Sequence, residues 1–335
     1  MSTCRRAFLA ALPALASVRP WVAAARRAPQ VETVRGPVSA AELGVTLVHE
    51  HVLVDFVGAD KVDRRRYDAE EAFRVALPHL VALRERGAGT LVECTPAWLG
   101  RDPALLRRLS EASGLHIVTN TGYYGAAQDK YLPAHAFQES AEKLADRWTA
   151  EWRGGIEDTG IRPGFIKTGV DAGPLSPLHR KLITAAALCH RRTGLRVHGH
   201  TGDGRAAMDI LSVLDAQGVF ASAYVWVHAQ NEKDGALHRR AARAGAWIEL
   251  DGIAEESRDA HVSAVSALVR AGQLRRTLIS QDSGWYHVGE PGGGRFRPYT
   301  YLFDGFLPAL RQAGLSERDV RTLLVDNPAR LLGRA

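Results

Sequence analysis

His49, Glu50 and His51 stand at the centre of "GVTLVHEHVLVDF" (44–56), a run otherwise apolar enough to be a buried strand. Successive side chains of a strand point to opposite faces, so the two imidazoles share one face and Glu50 takes the other. Other metal-type side chains close further apolar runs: Lys167 in "FIKTG", His200 in "VHGHT", His228 in "WVHAQ" and Asp282 in "LISQDS". Each has a plain reading by itself. An HxH pair is most often hydrogen-bonded, Lys167 could snorkel, His200 and Asp282 could cap turns, and His228 could be a satisfied core histidine. Together, four imidazoles, a carboxylate and a lysine point to borderline divalent metals such as zinc, in a set large enough for two ions. Lysine is the odd member, because an ammonium repels cations. A neutral amine can add carbon dioxide, and the carbamate so formed is an anionic, bridging ligand.

The elements that must position these groups follow from the apolar periodicity. Eight short runs rich in Val, Ile and Leu fall at 46–54, 90–95, 116–122, 164–170, 195–201, 223–230, 246–252 and 277–283. Between them lie segments of helical period, several ending on glycine at Gly87, Gly114, Gly194, Gly218 and Gly245, where a helix terminus favours it. This alternation predicts an α/β fold, a (β/α)8 TIM-type barrel over 31–335 with a short N-terminal arm turning at Gly36 and Pro37 and extra C-terminal helices. Active sites of such barrels lie at the C-terminal ends of the strands, so all six side chains could meet in one mouth. Glu50, facing away from the histidines, is expected to be a structural partner on the helix side.

The first 25 residues contain no acid, place Arg5 and Arg6 before "AFLAALPALASV", and reach the small residues "VAAA". The apolar part is too short to span a bilayer. The segment resembles a twin-arginine export signal, which implies the twin-arginine export machinery as a partner and a periplasmic or secreted protein. Cleavage after Ala25 would remove three arginines and no acid, taking the formal charge from +6 to +3. The remaining basic residues are interleaved with acids apart from Arg64, Arg65 and Arg66, a pattern that argues against a nucleic-acid partner. Cys94 and Cys189 lie far apart in unlike contexts and are expected as buried free thiols.

In this order "TLVHEHV", "FIKTG", "VHGHTGDG", "WVHAQNEKD" and "LISQDS" resemble the phosphotriesterase family of the amidohydrolase superfamily, which includes phosphotriesterase-like lactonases. The resemblance runs from about residue 31 to the end and takes in "ECTPAWLGRDP", "NTGYY" and "NPARLL". It implies a distorted (β/α)8 barrel with a binuclear centre, usually of Zn2+. His49, His51 and Asp282 would hold the more buried ion, and His200 and His228 the more exposed one. A carboxylated Lys167 would bridge both, together with a hydroxide that attacks the substrate while Asp282 accepts its proton. Tyr124 matches a tyrosine that lactonases place near the metals, with Tyr123 as the adjacent alternative. Trp98, Trp285, Tyr286 and His287 are loop aromatics, expected more as packing than as substrate contacts. After His228 the chain lacks the aspartate-rich stretch of the organophosphate hydrolases, and "IELDGI" carries neither their strand-seven histidine nor the lactonases' arginine. The implied substrates are small esters: lactones or carboxylic esters first, organophosphates second. A barrel that only binds ligand is the lower alternative, and a homodimer is left open.

Overall fold

The computed structural model describes Met1 and residues 28–334, so the expected export signal at 1–25, Met1 aside, lies outside the described residues. Eight parallel strands form the barrel. They are β1 (Val45–Glu50), β2 (Ala88–Glu93), β3 (His116–Val118, resuming as Asn120–Thr121), β4 (Phe165–Gly169), β5 (Val197–His200), β6 (Tyr224–Val227), β7 (Trp247–Leu250) and β8 (Thr277–Ile279). Ladders join β1 to β2 to the first half of β3, and the second half of β3 through β4, β5, β6 and β7 to β8.

Seven helices follow the first seven strands in turn: α1 (Ala69–Glu85), α2 (Pro103–Ser113), α3 (Ala141–Gly154), α4 (Pro177–Thr193), α5 (Gly204–Ala216), α6 (Gly235–Ala244) and α7 (Arg258–Arg270). Six of them begin on an Asp or Ser whose side chain accepts a bond from the first turn: Asp68, Asp102, Ser140, Ser176, Asp203 and Asp234. Those caps satisfy amides that the helix leaves unbonded. The five expected glycines all adopt positive φ, from 70° to 110°, as a residue without Cβ can. Shorter helical segments between Leu302 and Leu332 complete the C-terminal addition.

The last junction of the barrel, β8 to β1, is closed by scattered main-chain bonds and by side chains rather than by a regular ladder. His49 N donates to Ser280 Oγ at 3.0 Å, Asp282 N donates to His49 O at 3.1 Å, and His51 N donates to Ser283 O at 2.9 Å. The buried Glu50 carboxylate accepts from Ser280 Oγ (2.8 Å), Gln281 N (2.9 Å) and Ser283 N (2.7 Å). Glu50 is structural, as its position on the strand predicts, but its partners are the exit of β8 and not a helix.

The N-terminal arm is a hairpin pairing Gln30–Thr33 with Gly36–Ser39. Its turn falls at Val34 and Arg35, just ahead of the expected Gly36–Pro37, because Pro37 has no N–H to donate and is accommodated in a two-stranded edge. The hairpin lies under the strand starts, where Val34 N bonds Ile117 O at 2.9 Å and Gln30 pairs with Arg334. Inside the barrel, Phe165 shares a strand face with Lys167, Trp247 with Glu249 and Asp251, and Leu278 with Ser280. These apolar members pack together with Val92, Val118 and Val225 into a floor beneath the polar residues. Cys94 and Cys189 are both buried and unpaired. No described helix is long and apolar enough to cross a membrane.

Candidate metal centre

The strand ends bring all six predicted groups to one cavity of about 180 Å³, lined by His49, His51, Lys167, His200, His228 and Asp282. Their positions on the strands differ in kind. His49 lies within β1 and His200 ends β5, whereas Lys167, expected at the end of its strand, sits in the middle of β4, two residues before Gly169. His228 and Asp282 come after their strands, at φ of 61° and 50°, backbone conformations that residues with a Cβ seldom adopt. Each is fixed through its main-chain N–H, His228 N donating to the Asp251 side-chain Oδ2 at 3.1 Å and Asp282 N to His49 O at 3.1 Å. The turn so formed aims both side chains back into the mouth.

Hydrogen bonding sorts the two nitrogens of each imidazole. His49 Nδ1 lies 2.6 Å from Glu249 Oε1 and 3.2 Å from Asp251 Oδ2, so it must be the protonated, donating nitrogen. Burial, followed by the charge of Lys167, pushes the His49 pKa down to about 3. At neutral pH its Nε2 therefore carries a lone pair, and that atom faces the cavity 3.2 Å from Lys167 Nζ and 3.7 Å from Asp282 Oδ1. His51 repeats the pattern: Nδ1 meets Thr95 Oγ1 at 2.7 Å, Nε2 faces Asp282 Oδ1 at 3.1 Å, and burial holds its pKa down.

Asp282 Oδ1 is buried and has no hydrogen-bond partner. A carboxylate oxygen thus faces two imidazole lone pairs, an arrangement of acceptors without a donor that a divalent cation satisfies. His49, His51 and Asp282 have ligand atoms within 4.8 Å of one another. On the other side of the cavity the rings of His200 and His228 lie 4.3 Å apart, with the His200 pKa pushed well down by burial and by His228. Lys167 is 1 % exposed, with no carboxylate partner within ion-pair distance among the described residues.

Two acids, Glu249 in β7 and Asp251 just past its end, belong to the site and carry no motif of their own. Asp251 binds His228 Nδ1 through a short contact, Gln230 Nε2 at 2.7 Å, His228 N at 3.1 Å and His49 Nδ1 at 3.2 Å. His49, His228 and Asp251 also have ligand-type atoms close together, but the Asp251 oxygens are taken up by those donors. Asp251 therefore orients imidazoles instead of facing the cavity. Burial pushes the His228 pKa down, yet Asp251, through charge and hydrogen bond, leaves it raised. Burial, followed by the charge of Asp251, pushes the Glu249 carboxyl well above its ordinary range. The sequence signal was available in "WIELDG", where two acids two residues apart interrupt a buried strand.

Tyr124 OH lies 2.8 Å from His200 Nε2, while Tyr123 OH turns away to His135 Nε2 at 2.9 Å, so of the two tyrosines it is Tyr124 that reaches the centre. Phe56, Leu99, Tyr131 and Trp285 complete the apolar wall. Of the expected loop aromatics, Trp285 enters that wall, its ring 4.1 Å from His51. Tyr286 is buried with its hydroxyl on Glu71, and His287 stacks on Trp285. Trp98 lines a separate cavity of about 360 Å³ behind the β2–α2 loop, together with Tyr123 and Arg101. Phe56 and Tyr131 carry no motif, since only the folding of two loops over the mouth brings them in.

The model of the phosphotriesterase family matches residues 29–332. A phosphotriesterase homology protein of Escherichia coli is 30% identical, over 85% of this chain and 97% of its own length. The N-acetyltaurine hydrolase of Tetraodon nigroviridis is 27% identical, over 89% and 96%. Among solved structures, a mutant of a PTE-like lactonase of Deinococcus radiodurans superposes with a TM-score of 0.82 at 32% identity, covering 90% of this chain and all of that one.

Proposed function

The chain belongs to the phosphotriesterase family, and from that membership and the site's geometry we propose that it is a metal-dependent hydrolase of neutral esters, lactones or carboxylic esters before phosphotriesters. The observation that carries the reading is the orphaned Asp282 Oδ1 facing the bare Nε2 atoms of His49 and His51. In this reading His49, His51 and Asp282 would hold one divalent ion, His200 and His228 would hold a second, and Lys167, once carboxylated, would supply an anionic ligand to the pair. Zinc suits that donor set. The ions supply a nucleophilic water at neutral pH and polarise the electrophile's oxygen.

The chain's own residues do the rest. Asp282 takes up the proton released when water attacks the acyl carbon. Glu249 and Asp251 hold the His49 and His228 rings so that each Nε2 faces inward. The Tyr124 hydroxyl orients the substrate's oxygen above His200. Phe56, Leu99, Tyr131 and Trp285 exclude water and receive the apolar part of the substrate.

Among the described residues the cavity is lined by no arginine and by no lysine other than Lys167, so no guanidinium or free ammonium beyond the metal ligands is there to pair with the charge of a phosphate mono- or diester, which favours a neutral substrate. The cavity of about 180 Å³ suits a lactone ring better than a phosphorus centre carrying three substituents. A leader at residues 1–25 would place this activity outside the cytoplasm.

Kinetics on zinc-loaded protein with a γ-lactone, an aryl ester, an N-acyl amide and paraoxon test the reading. The lactone or the aryl ester is expected to have the highest kcat/KM. Turnover of the phosphotriester alone would reverse the order, and turnover of the amide alone would replace ester hydrolysis with amide hydrolysis.

A further inference from the structure

Every barrel strand starts at the same end, and that end gathers arginines that are far apart in the chain. Arg162, Arg196 and Arg276 stand just before β4, β5 and β8, Arg275 precedes Arg276, and Arg330 and Arg334 come from the C-terminal segment. Two indoles lie among them. Trp247 has the Arg276 guanidinium 5.0 Å and the Arg330 guanidinium 5.5 Å from its ring centre, and Arg334 lies 5.5 Å from Trp152.

Their acceptors are mostly main-chain carbonyls: Arg196 Nε donates to Leu331 O at 3.2 Å, Arg330 Nη2 to Arg275 O at 2.8 Å, and Arg334 Nη1 to Thr193 O at 3.1 Å. Glu32 is the carboxylate within 4.0 Å of Arg162 and Arg334, and Asp326 is already paired with Arg321. Arg196, Arg276 and Arg330 lie below the ordinary guanidinium range, through burial first and then through one another's charge and that of Arg275. This is positive charge with little opposing charge in the protein.

Beside the cluster, Phe220 is 85% exposed. It stands two residues before Ser222, whose carbonyl accepts the Trp247 indole N–H at 3.2 Å. Basic groups around a projecting phenyl ring match the interface of a bilayer with anionic headgroups, which takes up both charge and apolar surface. The phosphate backbone of a duplex offers nothing apolar to the ring. The described chain also enters the fold here, with Gln30 N bonded to Arg334 O at 2.7 Å.

We propose that the strand-start face of the barrel, through Arg275, Arg276, Arg330 and Phe220, docks on anionic phospholipid and leaves the metal-centre mouth turned to solution. The proposal is independent of the substrate reading, since the two faces are at opposite ends of the barrel.

Co-sedimentation of the full chain with phosphatidylglycerol–phosphatidylcholine vesicles tests it, compared with pure phosphatidylcholine at low and high salt. Binding is expected to need the anionic lipid and to fall as salt screens it. Arg275→Gln is expected to weaken binding about fivefold and Arg275→Gln/Phe220→Ser more than tenfold. Arg65→Gln, an equal charge change at the mouth end, is expected to leave it unchanged. All variants carry the same leader, so these differences report on the face alone, and all should keep the wild-type circular dichroism spectrum and hydrolysis rate. Equal binding by the double variant, an equal loss in Arg65→Gln, or stronger Arg275-dependent binding to duplex DNA than to vesicles would overturn the proposal.

Discussion

Asp282→Asn lowers kcat for the preferred ester by about 10²–10⁴-fold while the protein stays folded. The substitution keeps the shape of the side chain but removes its capacity to take up a proton. It also brings an amide group, in place of a carboxylate, against the His51 and His49 Nε2 atoms that lie 3.1 and 3.7 Å from Asp282 Oδ1. An amide donor turned toward those nitrogens would occupy the lone pairs that are to hold an ion. The loss should therefore appear both in single-turnover kinetics and in zinc bound per chain. Hydrolysis at the wild-type rate by the Asn variant would remove Asp282 from the mechanism.

Glu50→Ala acts on stability. It strips the acceptor from Ser280 Oγ, Gln281 N and Ser283 N, three donors at a fully buried junction that no regular ladder closes. Unsatisfied buried donors cost about 1–3 kcal/mol each. A loss of roughly 3–5 kcal/mol follows, on the order of 10 °C in Tm, read by thermal or urea unfolding. Glu50→Gln, which keeps one acceptor oxygen, should lose less. Both variants should retain substantial kcat at temperatures where they are folded, because Glu50 closes the barrel and faces away from the cavity. Loss of turnover in folded Glu50→Gln would instead make Glu50 a participant in the chemistry.

The metal-type residues were legible because each interrupts an apolar run, and an imidazole or ammonium inside such a run needs a reason. The barrel was legible because eight such runs alternate with helical period and with glycine stops. Glu249 and Asp251 escaped that reading. In "WIELDG" they belong to no motif, and their partners His49 and His228 lie on other strand ends, so only the register of the barrel reveals the contact. The arginine face escaped for a related reason. Residues spread between 162 and 334 look interleaved with acids along the chain, and they become one patch because parallel strands all begin at one end. The place of Lys167 in mid-strand and the positive φ of His228 and Asp282 are matters of local backbone geometry that side-chain type does not encode.

The most direct measurement of the central claim is anomalous diffraction at the zinc edge from crystals of the zinc-loaded protein. Two ion peaks are expected in the cavity, one against His49 Nε2, His51 Nε2 and the Asp282 carboxylate, the other against His200 and His228, with density extending from Lys167 Nζ between them. A cavity without ions, or ions held elsewhere beside an unmodified Lys167 amine, would contradict the account.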